Sequence, residues 1–236
     1  METQDHIASD FDRDLEMVQA QIMKMGGLVE DSIRQAVTSL ETRDEPLAAQ
    51  VRAADKVIDA LEAQINENAA RVIAQQAPTS TDLRLILSVV KISGNLERIG
   101  DYAKNMAKRT AVLSQMPPVK DSTGAIRRMA RLADEMLMDA LDAYIRRDAN
   151  LAADVIARDE ELDQMYNTLF REFLTFMMED PRNITACMHL HFIAKNVERM
   201  GDHCTSIAEQ VIYLVSGIRP DEARPKADTT SLATKV

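Results

Sequence analysis

The 236 residues contain no tryptophan, only 4% aromatic residues, and just seven glycines and seven prolines. A chain so short of aromatics and turn residues has little from which to build a sandwich or barrel, where many short strands alternate with tight turns. Only two cysteines are present, Cys187 and Cys204, and they do not form a CxxC pair. No disulfide framework or cysteine knuckle is expected. The opening METQDHIASDFDRD is acidic and lacks the apolar stretch of a secretory leader, so a cytoplasmic location is expected. Basic residues are outnumbered, 28 Lys and Arg against 38 Asp and Glu, for a formal charge of −10. That balance argues against nucleic acid as the main partner, because phosphate neutralisation needs clustered cations. Long hydrophobic runs are missing as well. The longest uncharged stretch, Asn183–Ala194, falls well short of the ~20 apolar residues that cross a bilayer, so no membrane insertion is expected.

The chain is rich in Ala, Leu, Met and charged residues of straight-chain type, which lose little rotamer freedom in a helix. Breaks fall near Arg43–Pro46, Ala77–Ser80, Met116–Gly124, Arg147–Asn150, Asp180–Pro181 and Gly217–Pro220. Between them the text has helical period. Leu85, Val89, Ile92, Leu96, Ile99, Ala103 and Met106 form one apolar stripe, and Ala186, Leu190, Ile193, Val197, Met200, Cys204 and Ile207 form another. The two stripes superpose at an offset of 101 residues, Leu85 onto Ala186. Asp55, Asp59, Leu61 and Ile65 map onto Asp159, Asp163, Met165 and Leu169 at an offset of 104, as RDEPLAA at Arg43 maps onto RDANLAA at Arg147. Met25, Leu28, Ile33 and Ala36 echo Met129, Leu132, Leu137 and Ala140. The sequence therefore predicts an all-α fold of six long antiparallel helices, arranged as two tandem, pseudo-symmetric three-helix bundles. The expected units are residues 5–116 and 119–218, with 219–236 as a disordered tail. Segments of about 30 residues would make helices of ~45 Å. Pro46 and Pro181 suit first turns, where the missing N–H costs little.

The repeated text that matters most is NLERIGD at Asn95 and NVERMGD at Asn196. Glu97 and Asp101 lie one turn apart beside the third-segment stripe, and Glu198 and Asp202 repeat the arrangement in the sixth. Asp55 and Asp59 flank the second-segment stripe Val51, Ala54, Ile58, Leu61 and Ile65, and Asp159 and Asp163 repeat that pair in the fifth. If neighbouring helices pack side by side, four carboxylates converge in each unit. Like charges at this spacing repel by roughly 0.2–0.5 kcal/mol per pair, and two facing pairs repel more. A multivalent cation is one way to offset that, since oxygen-only clusters suit Mg, Mn, Ca or iron. The alternative is a solvated acidic face with no metal role. Asn105 extends the first set and Ser206 stands in its place in the second, so the two sites are expected to differ in detail. Gly100 and Gly201 point to close packing of a helix or ligand, at a cost of about 1 kcal/mol each relative to alanine. Arg98 and Arg199 either pair with the neighbouring acids or are solvated. His203 reads as a surface residue or an extra ligand. Cys204 reads as a buried small residue, and Cys187 as inert too. A ferritin-like di-iron site would want Glu-x-x-His, which is absent. No phosphate loop, nucleophile elbow or Ser/His/Asp arrangement occurs, so no enzyme is expected.

The duplicated D-x-x-x-D and N-x-E-R-x-G-D motifs, with the opening HIASDFDRDLEMVQAQIMKMGGLVEDSI, resemble the PhoU family over about residues 5–218. The resemblance implies two three-helix bundles and metal clusters. By position the ligands would be Asp55, Asp59, Glu97 and Asp101, then Asp159, Asp163, Glu198 and Asp202. The implied metal is iron, with Zn, Mn, Mg or Ca as other possibilities. The implied role is a negative regulator of phosphate uptake and of the phosphate-starvation response. Its implied partners are the ATPase subunit of a phosphate ABC transporter and a PhoR-type sensor histidine kinase, and a homodimer is expected. The other reading is a helical scaffold or adaptor whose acids only face water.

Overall fold

A computed structural model describes the backbone of residues 2–76 and 78–218, with side chains from 13 to 75 and from 78 to 218. The expected tail, 219–236, and residues 5–12 of the expected first unit lie outside the residues described at side-chain level. Six helices follow one another: α1 Glu2–Thr42, α2 Glu45–Gln76, α3 Ser80–Leu113, α4 Ser122–Arg146, α5 Ala149–Glu179 and α6 Ile184–Ser216, the last preceded by a 3-10 turn Pro181–Asn183. α1 is longer than the spacing of breaks suggested, at 41 residues, or about 60 Å at 1.5 Å per residue.

Local chemistry sets the breaks, and it is duplicated like the helices. Arg43 and Arg147 both take left-handed backbone, at φ 57° and 55°, a conformation that costs a non-glycine residue roughly 1 kcal/mol. The aspartate that follows each of them then caps the next helix. Asp44 accepts from Leu47 N at 2.9 Å, and Asp148 accepts from Asn150 N at 2.9 Å and Leu151 N at 3.1 Å. These bonds satisfy donors that a helix start leaves without partners. Pro46 sits in the first turn of α2, and Pro181 opens the 3-10 turn, where Asp180 accepts from Arg182 N.

α1, α2 and α3 pack against one another, as do α4, α5 and α6; the two bundles meet along α3 against α6 and along α1 against α4. Both predicted stripes face inward. Val89, Ile92, Leu96, Ile99, Ala103 and Met106 are buried on α3, with Leu85 half-buried against them. All seven positions of the α6 stripe are buried. One hydrophobic cluster runs through both bundles, from Val18 to Val211. A small second cluster, Ala69, Val72 and Ile86, closes the α2/α3 tip. The two halves thus share a core. One stripe position departs from expectation: Ala54 is exposed and Asp55 is buried. The inward row of α2 runs Val51, Asp55, Ile58, which places a carboxylate where an alanine was expected.

Candidate functional site

Because Asp55 lies in the inward row of α2, only 3% of it is exposed, whereas Asp59, one turn on, faces solvent. From α3, Glu97 and Asp101 are half-buried beside the seam. Lys104, one turn beyond Asp101, places its ammonium between the helices. Its Nζ donates to Asp101 Oδ1 at 2.7 Å and to Asp55 Oδ2 at 2.5 Å. Both carboxylates hold the lysine pKa above its ordinary value. Burial raises the Asp55 carboxyl against the opposing pull of Lys104, and Asp59 and Asp101 add to the rise. Glu97 is raised by burial, then by Asp101. Arg98 lies outside, 3.6 Å from Glu97 and 3.8 Å from Asp101. It therefore pairs with the acids, though at an exposed position where such contacts add little.

In the second half, Asp159 and Asp163 of α5 and Glu198 of α6 are all buried, and Asp202 is half-buried. Burial raises the Glu198 carboxyl, Lys195 opposes that rise, and Asp202 and Asp163 add to it. Lys195 Nζ donates to Glu198 Oε1 at 2.7 Å and lies 4.8 Å from the Tyr166 ring centroid. Gly201 is what lets α5 come so close. A Cβ there would stand 2.5 Å from Leu162 Cδ2 and 2.7 Å from Asp159 Oδ1, whereas one at Gly100 would meet Ile58 Cδ1 at 3.1 Å. Close helix packing at both glycines matches the expectation from sequence.

The acids assigned from sequence thus stand as two groups at the α2/α3 and α5/α6 contacts. A face of solvated carboxylates does not describe Asp55, Asp159, Asp163 or Glu198, which are inside the protein. The donors are hard oxygens, and one oxygen in each group, Asp55 Oδ1 and Glu198 Oε2, is buried without a hydrogen bond. That chemistry fits a hard cation such as iron, Mn, Mg or Ca. Among the described residues, no three His, Cys, Asp or Glu side chains gather closely enough to ligate one ion. In the present arrangement lysine ammonium groups stand among the carboxylates.

Lys104 and Lys195 were not singled out from the sequence. They do not correspond in the repeat, so duplication gave no signal; only their i,i+3 spacing from Asp101 and Glu198 did. His203 is not a free surface residue. Its Nδ1 lies 2.8 Å from Asn95 Oδ1, and its Nε2 lies 3.4 Å from the Tyr102 hydroxyl. Tyr102 is the position matching His203 in the repeat, so the pair joins α3 to α6 where the halves meet. Cys204 is buried, with its Sγ 3.7 Å from Ala133 O, and Cys187 is also buried. No helix among the described residues is long and apolar enough to cross a membrane.

Comparison with known proteins places this geometry. The PhoU domain matches twice, over residues 22–110 and 126–211. The chain is 42% identical over 227 residues to the phosphate-specific transport system accessory protein PhoU homolog of Caulobacter vibrioides, covering 96% of this chain and 99% of that protein. It is 45% identical to the homolog of the same name from Rhizobium meliloti, covering 96% and 95%. The crystal structure of PhoU from Pseudomonas aeruginosa superposes with a TM-score of 0.84 at 40% identity, covering 88% of this chain and all of that one. The phosphate transport system regulatory protein PhoU of Streptococcus pneumoniae superposes at 0.83 with 27% identity, covering 89% and 99%.

Proposed function

The chain belongs to the PhoU family, and from that premise we propose that it is a cytoplasmic negative regulator of phosphate uptake and of the phosphate-starvation response. It would act as a homodimeric adaptor between the ATPase subunit of a phosphate ABC transporter and a PhoR-type sensor kinase, keeping the kinase quiet while phosphate is plentiful. The supporting observation is correspondence along the whole chain, in both halves, to proteins named as accessory and regulatory components of phosphate-specific transport. Six long helices give an extended surface that suits a docking role. Deleting the gene tests the reading. Phosphatase activity in high phosphate is expected to be derepressed, and repression that persists unchanged would overturn the proposal.

Within that role, Asp55, Asp59, Glu97 and Asp101, and Asp159, Asp163, Glu198 and Asp202, would hold metal ions, iron first, with Mn, Mg, Ca or Zn as other possibilities. A bound cation would neutralise the facing carboxylates. Close packing of Gly100 on Ile58 and of Gly201 on Leu162 and Asp159 holds α2 against α3 and α5 against α6. Metal binding favours the ionised carboxylates, so it should weaken as pH falls. Elemental analysis of the purified protein is the direct check. Tightly held metal that disappears in the Asp101→Ala, Asp202→Ala double variant supports the assignment. Metal absent from the starting protein overturns the metal assignment and leaves the adaptor reading.

A further inference from the structure

A groove of about 340 Å³ lies between α1 and α4, and none of the eight repeated acids lines it. Its apolar wall comes from Ile33 and Val37 on α1 and Ala130 on α4. Arg34, Arg127 and Arg131 also line it, yet each has an acid of its own. Arg34 lies 3.2 Å from Glu30, Arg127 lies 3.3 Å from Glu41, and Arg131 lies 3.7 Å from Glu135. With those charges matched, one carboxylate is left over. Asp134 lines the same groove at 8% exposure, and its Oδ1 is buried without a hydrogen-bond partner. Burial pushes its carboxyl up to about 6, Arg34 opposes this, and Glu30 and Glu135 add to it. From α6, the titratable group nearby is Cys204. Near pH 7 Asp134 therefore carries a charge that nothing in the groove neutralises through a hydrogen bond. A charge in that situation costs several kcal/mol unless it is paired.

We propose that the α1/α4 groove is a docking site for a basic side chain, arginine or lysine, presented by a partner protein. The aliphatic stem lies along Ile33, Val37 and Ala130, and the cationic end reaches Asp134. Long basic side chains combine these two surfaces in one group, and a guanidinium matches a carboxylate in geometry as well as charge. An anion would instead have to draw the arginines off their own acids. A hydrated divalent ion would find one buried carboxylate and an apolar wall where it needs several oxygens.

The test is a two-dimensional amide NMR titration of the full chain near pH 7 with N-acetyl-arginine amide, alongside N-acetyl-glutamine amide, Mg²⁺ alone and a dilution series without probe. Saturable shifts confined to Ile33, Val37, Ala130 and Asp134 are expected with the arginine probe and not with the others. Asp134→Asn should weaken that binding at least about tenfold. Arg34→Gln, on the exposed rim and so little threat to folding, should tighten it by removing a competing positive charge. Binding that ignores Asp134→Asn, or that weakens in Arg34→Gln, overturns the proposal. So does an equal response to Mg²⁺. Groove shifts on dilution alone would assign the site to a second copy of this chain and overturn the partner assignment.

Discussion

The two acidic groups descend from the same repeated text but are packed differently. In the first half Asp55 alone is buried, Glu97 and Asp101 are half-buried, and Asp59 is exposed; in the second half Asp159, Asp163 and Glu198 are all buried. The cations differ as well. Lys104 joins a carboxylate of α2 to one of α3, whereas Lys195 bonds Glu198 of its own helix and lies against the Tyr166 ring of α5. A motif shared by two halves therefore fixes where the acids stand, while the packing around them sets how much water they keep. Gly201 and Leu162 draw α5 onto α6 more closely than Gly100 and Ile58 draw α2 onto α3.

The largest effect should come from closing that gap. Gly201→Ala would push a methyl group into Leu162, which is fully buried, and into the Asp159 carboxylate. Overpacking of this kind costs about 2–3 kcal/mol. At Gly100 the methyl would meet Ile58 Cδ1 at 3.1 Å, with Ile58 Cγ2 and Val29 at ordinary contact distance, and alanine's better helix propensity returns about 1 kcal/mol. Gly100→Ala should therefore stay within about 1 kcal/mol of the starting protein. Chemical denaturation of both variants measures the difference. Equal losses would mean that the halves are packed alike.

A second contrast lies on α1 and α4, where Glu30 and Asp134 occupy matching positions in the repeat. Glu30 is half-buried and bonded to Arg34, while Asp134 is buried with one oxygen unpaired. A carboxyl raised to about 6 from 3.8 contributes stability that is fully present below the lower value and is lost as pH rises through the higher one. Asp134→Asn removes that loss. The variant should be more stable by about 1 kcal/mol near pH 7, after allowing for its own buried amide, and should lose the advantage below about pH 4. Glu30→Gln should change stability by less than about 0.5 kcal/mol, and by less than the Asp134 variant near pH 7. Denaturation curves across that pH range give the sign directly.

Much of this was legible in the sequence because it was written twice. The two stripes and the turns built on Arg43–Asp44 and Arg147–Asp148 gave the six helices and their order. The paired N-x-E-R-x-G-D segments gave the position of the acids and the reason for the glycines. What escaped was whatever the repeat does not share. Lys104 and Lys195 have long, flexible stems whose ends can reach inward or outward from the same Cα, so their spacing alone did not say which. Asp134 lies in the row Ala130, Asp134, Leu137, Leu141, a polar residue at an apolar position, and that signal was present but unread. Asp55 and Ala54 were exchanged because an alanine is indifferent to burial, and only the packing of Val51 and Ile58 decides which residue turns in.

The smallest stability effect bears most directly on the difference between the two groups. Lys104 is about one-third exposed, so solvent screens its pairs, and Lys104→Met should cost only about 0.5 kcal/mol. Asp55 then escapes the loss in part by taking up a proton more readily. Lys195→Met removes the bond to Glu198 and the contact with the Tyr166 ring, and should cost at least as much. Cation affinity should move the other way. Lys104 engages one carboxylate from each of two helices, so its removal frees Asp55 and Asp101 together and opens a site that spans both. Removing Lys195 frees Glu198, whose other oxygen is buried without a hydrogen bond. The rise in melting temperature on adding Mn²⁺ should therefore increase in Lys104→Met and in Lys195→Met, because a ligand that binds only the folded state stabilises it more the tighter it binds. If Mn²⁺ shifts all three proteins equally, the lysines do not compete with a cation. The two groups would then differ only in burial.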